Sequence, residues 1–149
     1  MCENIKQKLL DLATAQDVEI QIETLATLCN MSLGGYFGDY PEAFLRRVDM
    51  KNLVSFLCSS NATCRLFGAV SIGNIASDKK LHQSVLEGGS LNPLIHTANV
   101  ADLETQRCIA YALCNLCAEE SNQLPIVRNG GLVPLFSLAF SDDHDCFLD

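Results

Sequence analysis

The sequence predicts an all-α fold, a solenoid of stacked helical units rather than a globule built around one centre. Three observations predict it. The segments Leu28-Cys29-Asn30-Met31, Ile72-Gly73-Asn74-Ile75 and Leu113-Cys114-Asn115-Leu116 recur 44 and 41 residues apart, and a period of about 40–47 residues is the signature of a helical repeat array. A shift of 41 lays Gly89-Ser90-Leu91-Asn92-Pro93-Leu94-Ile95 on Gly130-Gly131-Leu132-Val133-Pro134-Leu135-Phe136, Val85-Leu86 on Ile126-Val127 and Ala69 on Ala110, with Met50 and Leu53-Val54 in the same places one unit earlier. Apolar residues follow helical spacing along the chain, and no long alternating segment supports a sheet.

In chain order, residues 4–14 form a helix with Ile5, Leu9, Leu10 and Leu12 as its apolar face, and 17–32 form a longer one with Val18, Ile22, Leu25 and Leu28 inward. The three extra residues of the first interval fall between Asn30 and Met50, where Gly34-Gly35-Tyr36-Phe37-Gly38-Asp39-Tyr40-Pro41 predicts an enlarged loop. Pro41 opens a helix to about Val48, since proline is tolerated only in a first turn. Helices over 51–58 and 62–76 complete that unit. The next has helices over 79–87, 91–98 and 103–118, and the last has 121–128, shortened or bent by Pro125, and 132–140. Gly88-Gly89 and Gly130-Gly131 end the short helices, because glycine accepts the left-handed conformation of a helix C-terminus.

The whole of 1–149 therefore reads as a single array: a partial unit 1–32, units 33–77 and 78–118, and a partial unit 119–149. Leu9-Leu10 and Leu53-Val54 each begin 21 residues before their asparagine, so residue 1 starts near a second helix, and Asp149 falls on Cys108, inside a third. The expectation is a segment of a longer array, or a small one with frayed ends, that self-associates through its incomplete units.

Composition narrows the function classes. An apolar content of 48% supplies a core, and a formal charge of −8, from 18 acidic and 10 basic side chains, argues against binding nucleic acid, which calls for a basic stripe. A basic partner is electrostatically easier. Most of the eight cysteines lie within apolar helical patterns, which suits reduced thiols in the cytoplasm or nucleus better than secretion. No apolar run reaches the length of a membrane span, and the N-terminus lacks a signal peptide's basic and apolar regions. Cys2 stands where N-myristoylation needs glycine, leaving a lone palmitoylation candidate.

The three-helix unit, with Leu-x-Asn-Leu near the end of its third helix and Gly-Gly-hydrophobic-x-Pro-Leu in its second, resembles the armadillo repeat. The fullest copy runs Gln106-Arg107-Cys108-Ile109-Ala110-Tyr111-Ala112-Leu113-Cys114-Asn115-Leu116-Cys117-Ala118, followed by Ile126-Val127 and Gly130 to Leu135. The resemblance implies a right-handed α-solenoid of three-helix armadillo repeats. It also implies a concave groove lined by third helices, where Asn30, Asn74 and Asn115 hydrogen-bond the backbone of an extended peptide. An amide side chain donates and accepts, so it pairs with any peptide group whatever that residue's side chain.

Helical stacking at four-residue spacing puts Ala26, Val70 and Tyr111 one turn back on that face, and Ile22, Leu66 and Arg107 two turns back. Glu19, Thr63 and Glu104 extend the strip. The alternative role of the asparagines is to tie their own neighbouring helices together. Nuclear-import adaptors of the family repeat tryptophan four residues before the asparagine, whereas this chain has no tryptophan and only Tyr111 is aromatic there. The groove is more apolar than a lysine reader requires, and Arg107 favours an acidic or polar ligand group.

Other chemistry is weak. Cys114 and Cys117 have metal-like spacing, but their counterparts are Gly73 and Ala76, or Cys29 and Ser32, small residues suited to close helix packing. His82, His96 and His144 are dispersed and read as surface or capping residues, with no catalytic signature around them. Ser141 to Asp145 reads as a loop in which Asp142 or Asp143 caps the next helix, and it lacks the central glycine of a calcium loop. Asn30-Met31-Ser32 and Asn61-Ala62-Thr63 match glycosylation acceptors, which a non-secreted chain does not use, and no glycine-rich phosphate loop follows a strand. The sequence therefore predicts a non-enzymatic protein-interaction scaffold or adaptor without cofactor or metal, binding extended segments of protein partners. A receptor for basic nuclear signals and a membrane-tethered scaffold are the alternatives.

Overall fold

The computed structural model describes residues 2–32 and 48–140, with side chains from residue 7 onward. Helices α1 (Cys2–Ala13), α2 (Val18–Ser32), α3 (Met50–Leu57), α4 (Ala62–Ala76), α5 (His82–Glu87), α6 (Leu91–Ala98), α7 (Leu103–Cys117), α8 (Glu120–Arg128) and α9 (Leu132–Ala139) follow one another, with a 3-10 turn at Lys79–Leu81 leading into α5. Among the described residues there is no strand. The expected loop at 34–41 and the helix from Pro41 lie outside the described residues, apart from helical, buried Val48.

The long helices α2, α4 and α7 stack side by side, α3 packs on α4, and α6 and α9 pack on α7. Central α4 buries Cys64, Gly68, Ala69, Ser71, Ile72, Gly73, Ile75 and Ala76 and leaves Leu66, Val70 and Asn74 half-buried along one face. Its small residues let neighbours approach closely. By contrast α7 buries one side only, through Thr105, Ile109, Ala112, Leu113 and Leu116.

Capping recurs in the same register as the asparagines. Asp17 Oδ1 accepts from the backbone N–H groups of Glu19 (3.0 Å) and Ile20 (3.2 Å), Asn61 Oδ1 from those of Thr63 (2.9 Å) and Cys64 (3.2 Å), and Asp102 Oδ1 from that of Thr105 (3.0 Å). Each long helix thus starts on a side chain that satisfies its orphan donors. Nine residues before each asparagine, a long polar side chain reaches back to a carbonyl at the end of the preceding helix or, for Arg65, in the turn just after it. Gln21 Nε2 donates to Ala13 O (3.0 Å), Arg65 Nη1 to Ser59 O (3.0 Å) and Gln106 Nε2 to Ala98 O (2.9 Å).

Several expectations change. Leu12, Val18 and Ile22 are exposed rather than inward, while Ala13, Leu25 and Leu28 join the core with half-buried Leu9 and Leu10 packed against it, so a different face of each helix meets its neighbours. The expected helix over 79–87 divides, because Asp78 accepts from the backbone N–H of Lys80 (3.0 Å) and sets a tight 3-10 turn before α5. His82 is buried rather than on the surface, with Nε2 2.8 Å from the Ala76 carbonyl oxygen. Its counterpart one unit on, Gln123, donates to Cys117 O at 3.0 Å, so the same carbonyl of the long helix is held in both places. The expected helix over 121–128 is present as α8, Glu120–Arg128, with Pro125 inside it.

Glycine is required in two ways. The aligned pair Gly89 and Gly130 have φ of 76° and 86°, where an L side chain adds steric cost although the space around each is open. Gly68 instead marks backbone contact, since a Cβ there would lie 2.5 Å from Leu57 N and 2.9 Å from Leu57 Cα. Gly68→Ala is expected to lower stability by about 2–3 kcal/mol, and Gly89→Ala or Gly130→Ala by about 1–2 kcal/mol, read as shifts of the urea unfolding midpoint.

Candidate functional site

Each asparagine sits two residues before the end of a long helix: Asn30 in α2, Asn74 in α4, Asn115 in α7. Packing of α2 on α4 and α4 on α7 brings them into sequence. Asn74 Nδ2 donates to Ser32 Oγ at 2.9 Å, and Ser32 in turn donates to Cys29 O at 2.6 Å. Asn115 Nδ2 donates to Gly73 O at 3.4 Å. Two of the three therefore tie a long helix to the one before it, and donation through Nδ2 leaves Oδ1 as the acceptor.

None of the ten singled-out residues is fully buried. Ile22, Asn30, Glu104, Arg107 and Tyr111 are exposed, and Ala26, Leu66, Val70, Asn74 and Asn115 are half-buried. Tyr111 lies over Gly73, where a Cβ would come within 3.0 Å of its ring Cδ1. That contact explains the glycine beside Asn74. Ser32 and Gly73 were missed as partners of the strip, although their register positions, two after and one before an asparagine, already carried the signal.

A groove of about 510 Å³ runs between α7 and α9, walled by Ala110, Tyr111, Cys114, Leu135, Phe136 and Ala139, with Arg107 beside them. Its lining is almost entirely apolar, and Phe136 stacks toward Phe140 with ring centroids 6.4 Å apart.

Solved structures share this architecture. An engineered protein from the Northeast Structural Genomics Consortium is similar over 96% of this chain and 58% of its own, with 26% identity and a TM-score of 0.82. A computationally designed armadillo repeat protein for modular peptide recognition is similar over 93% of this chain and 58% of its own, with 21% identity and a TM-score of 0.81. The fold is an armadillo-repeat solenoid. A designed armadillo repeat protein in complex with the peptide (KR)4 is similar over 97% of this chain and 64% of its own, at 19% identity and a TM-score of 0.77. The chain thus spans about six tenths of the length of these structures. No family model matches the sequence, and no curated protein matches it.

Among the described residues the cysteines are thiols: Cys29 and Cys64 are buried, Cys108 and Cys117 half-buried, and Cys58 and Cys114 exposed. Burial pushes the Cys29, Cys114 and Cys117 thiols up, and burial followed by the Glu104 carboxylate pushes Cys108 up to about 11. Low thiolate content makes poor nucleophiles and metal ligands. Among the described residues no group of three or more ligating side chains surrounds Cys114 and Cys117, and no helix is long and apolar enough to cross a membrane.

Asn74→Ala is expected to lower stability by about 1 kcal/mol through loss of a good hydrogen bond. Asn115→Ala, with a longer bond, should cost less, and Asn30→Ala, at an exposed position, should change stability by no more than about 0.5 kcal/mol; urea unfolding of the three variants gives the order. A raised thiol pKa means that the native state holds its proton more tightly than the unfolded chain. Cys108 therefore contributes stability below its ordinary value of 9.0 that is lost as pH rises toward about 11. The thermal midpoint should fall over that interval, and Cys108→Ala should flatten the fall.

Proposed function

We propose that the chain is a non-enzymatic protein-interaction scaffold that captures an extended segment of a partner protein along the exposed faces of α2, α4 and α7. The units are those marked by the asparagine register, 1–32, 33–77, 78–118 and 119–149. The observation that carries the reading is the strip of asparagines on three consecutively packed helices, flanked by reachable Ile22, Leu66, Val70 and Tyr111. Asparagine acceptors and the exposed Asn30 amide pair with peptide backbone independently of sequence. Side-chain choice then falls to the neighbours: apolar seats at Ile22, Ala26, Leu66 and Val70, and a more polar end at Glu104, Arg107 and Tyr111.

The designed relative bound to alternating lysine and arginine supports a peptide-binding use of this architecture, but the present strip lacks the aromatic residues that would clamp lysine stems at two of its three positions. A partner segment rich in apolar residues fits it better than a purely basic signal. Reduced thiols support a cytoplasmic or nuclear setting.

The test is selection of linear peptides from a displayed random library, followed by titration of the best binder against variants. Asn30→Ala together with Asn115→Ala should weaken binding at least tenfold while the unfolding midpoint stays within its small expected shift. Equal affinity for the double variant would sink the groove reading, as would selection of purely Lys/Arg peptides that ignore Leu66→Ser and Val70→Ser.

A further inference from the structure

The hydroxyl of Ser32 decides which way the Asn74 amide faces. A serine has one hydrogen to give, and Ser32 gives it to Cys29 O at 2.6 Å. Its Oγ then acts as an acceptor, so the atom that Asn74 sets 2.9 Å away is the donor Nδ2. Partners of this kind, rather than shape, distinguish the two ends of an amide. Turning the Asn74 amide over would set Oδ1 against Oγ and make Ser32 give up Cys29 O. Ser32 is 0% exposed, and in such a place water does not replace a lost bond. Among the described residues the side-chain atoms buried without a partner are Arg65 Nε and His82 Nδ1, so Asn74, bonded through Nδ2, keeps Oδ1 within reach of solvent.

That hydroxyl belongs to the first unit alone. Two residues after the asparagines stand Ser32, Ala76 and Cys117. For Asn115 the place of Ser32 is taken by Ala76, which has no hydroxyl, and its Nδ2 turns instead to Gly73 O at 3.4 Å, a longer and weaker hold. Asn30 is exposed. Of the three amides, that of Asn74 is the one held by a short bond whose polarity is set from below.

We infer that Ser32 is a positioning residue for peptide capture: it holds Asn74 Oδ1 as a fixed acceptor, so that the captured segment must present a backbone N–H over α4 and cannot carry proline there. The inference rests on the asparagine strip being the peptide site, and adds a backbone requirement to a strip whose side-chain choice lies with its apolar neighbours. Proline and N-methylated residues lack the hydrogen that Oδ1 would accept. The longer bond at Asn115 fixes its amide less firmly, so the requirement is sharpest over α4.

The probe is the tightest linear peptide selected on the full chain from a displayed random library, resynthesised with one N-methyl group at each backbone nitrogen in turn and titrated by anisotropy. The methylation penalty that Asn74→Ala removes marks the residue over α4, and in the unaltered chain it should be about tenfold. Ser32→Ala should reduce that same penalty to about threefold or less by weakening the unmethylated peptide, with the penalties at other positions unchanged. In the Asn74→Ala background, Ser32→Ala should alter affinity no further. A purely structural role of Ser32 would lower every affinity together and persist in that background, and either result overturns the inference. So does a scan in which no penalty depends on Asn74, a measurement that needs no Ser32 variant to fold. Failure of the wider reading looks different: if Asn30→Ala with Asn115→Ala leaves affinity unchanged, the strip is not the site and the inference falls with it. If that double variant weakens binding and the Ser32 arms fail, the inference falls alone.

Discussion

Close approach of consecutive long helices is the constraint on which the other features of this protein depend. α4 packs against both α2 and α7, and its buried residues are small or branched: Gly68, Ala69, Ser71, Gly73 and Ala76 alternate with Ile72 and Ile75. On the α7 side a notional Gly73 Cβ would lie 3.0 Å from Tyr111 Cδ1, and toward α3 a notional Gly68 Cβ would lie 2.5 Å from Leu57 N. Burying the branched side chains supplies most of the stabilisation, about 1.5–3 kcal/mol for each fully buried Leu or Ile. The small residues determine the distance at which this burial is achieved. In a solenoid stability is summed from such nearest-neighbour interfaces rather than from a shared centre, so the seam governs both fold and spacing.

The same closeness explains why asparagine recurs at one place. Near the end of a long helix the preceding helix offers acceptors with spare capacity: the Ser32 hydroxyl, and the Gly73 carbonyl, which already accepts from Ser77 N–H at 3.1 Å and has a second lone pair. An amide side chain is long enough to reach across, to Ser32 Oγ from Asn74 and to Gly73 O from Asn115. It uses its donor in doing so and retains its acceptor. Structural tie and peptide contact are therefore compatible uses of one residue, drawing on opposite ends of the amide dipole. Asn30 differs because it is exposed, which leaves both ends of its amide accessible.

Much of this was legible in the sequence. Period, helix order and boundaries within one to three residues, and the glycine turns all follow from the 44 and 41 spacing, since a repeat converts one observation into several aligned ones. What escaped was what depends on the third dimension between units. Val18 and Leu12 have helical spacing suited to burial but are exposed, and hydrophobic pattern alone cannot report which apolar positions of a helix meet a neighbour. His82 reads as polar, yet a single carbonyl acceptor at Ala76 is enough to hold its ring inside. Gln21, Arg65 and Gln106 share a register position without sharing a residue type, so an identity-based comparison passes over them although each makes the same kind of bond.

The small differences between copies carry more meaning than the matches. Cys29, Gly73 and Cys114 occupy one position, yet the Tyr111 ring lies against the glycine while Ser71 hydrogen-bonds the first cysteine. A larger residue at Gly73 would meet that ring, as close packing demands. Each interface is thus keyed to its own neighbour, and units of such an array are not interchangeable even where their helices superimpose.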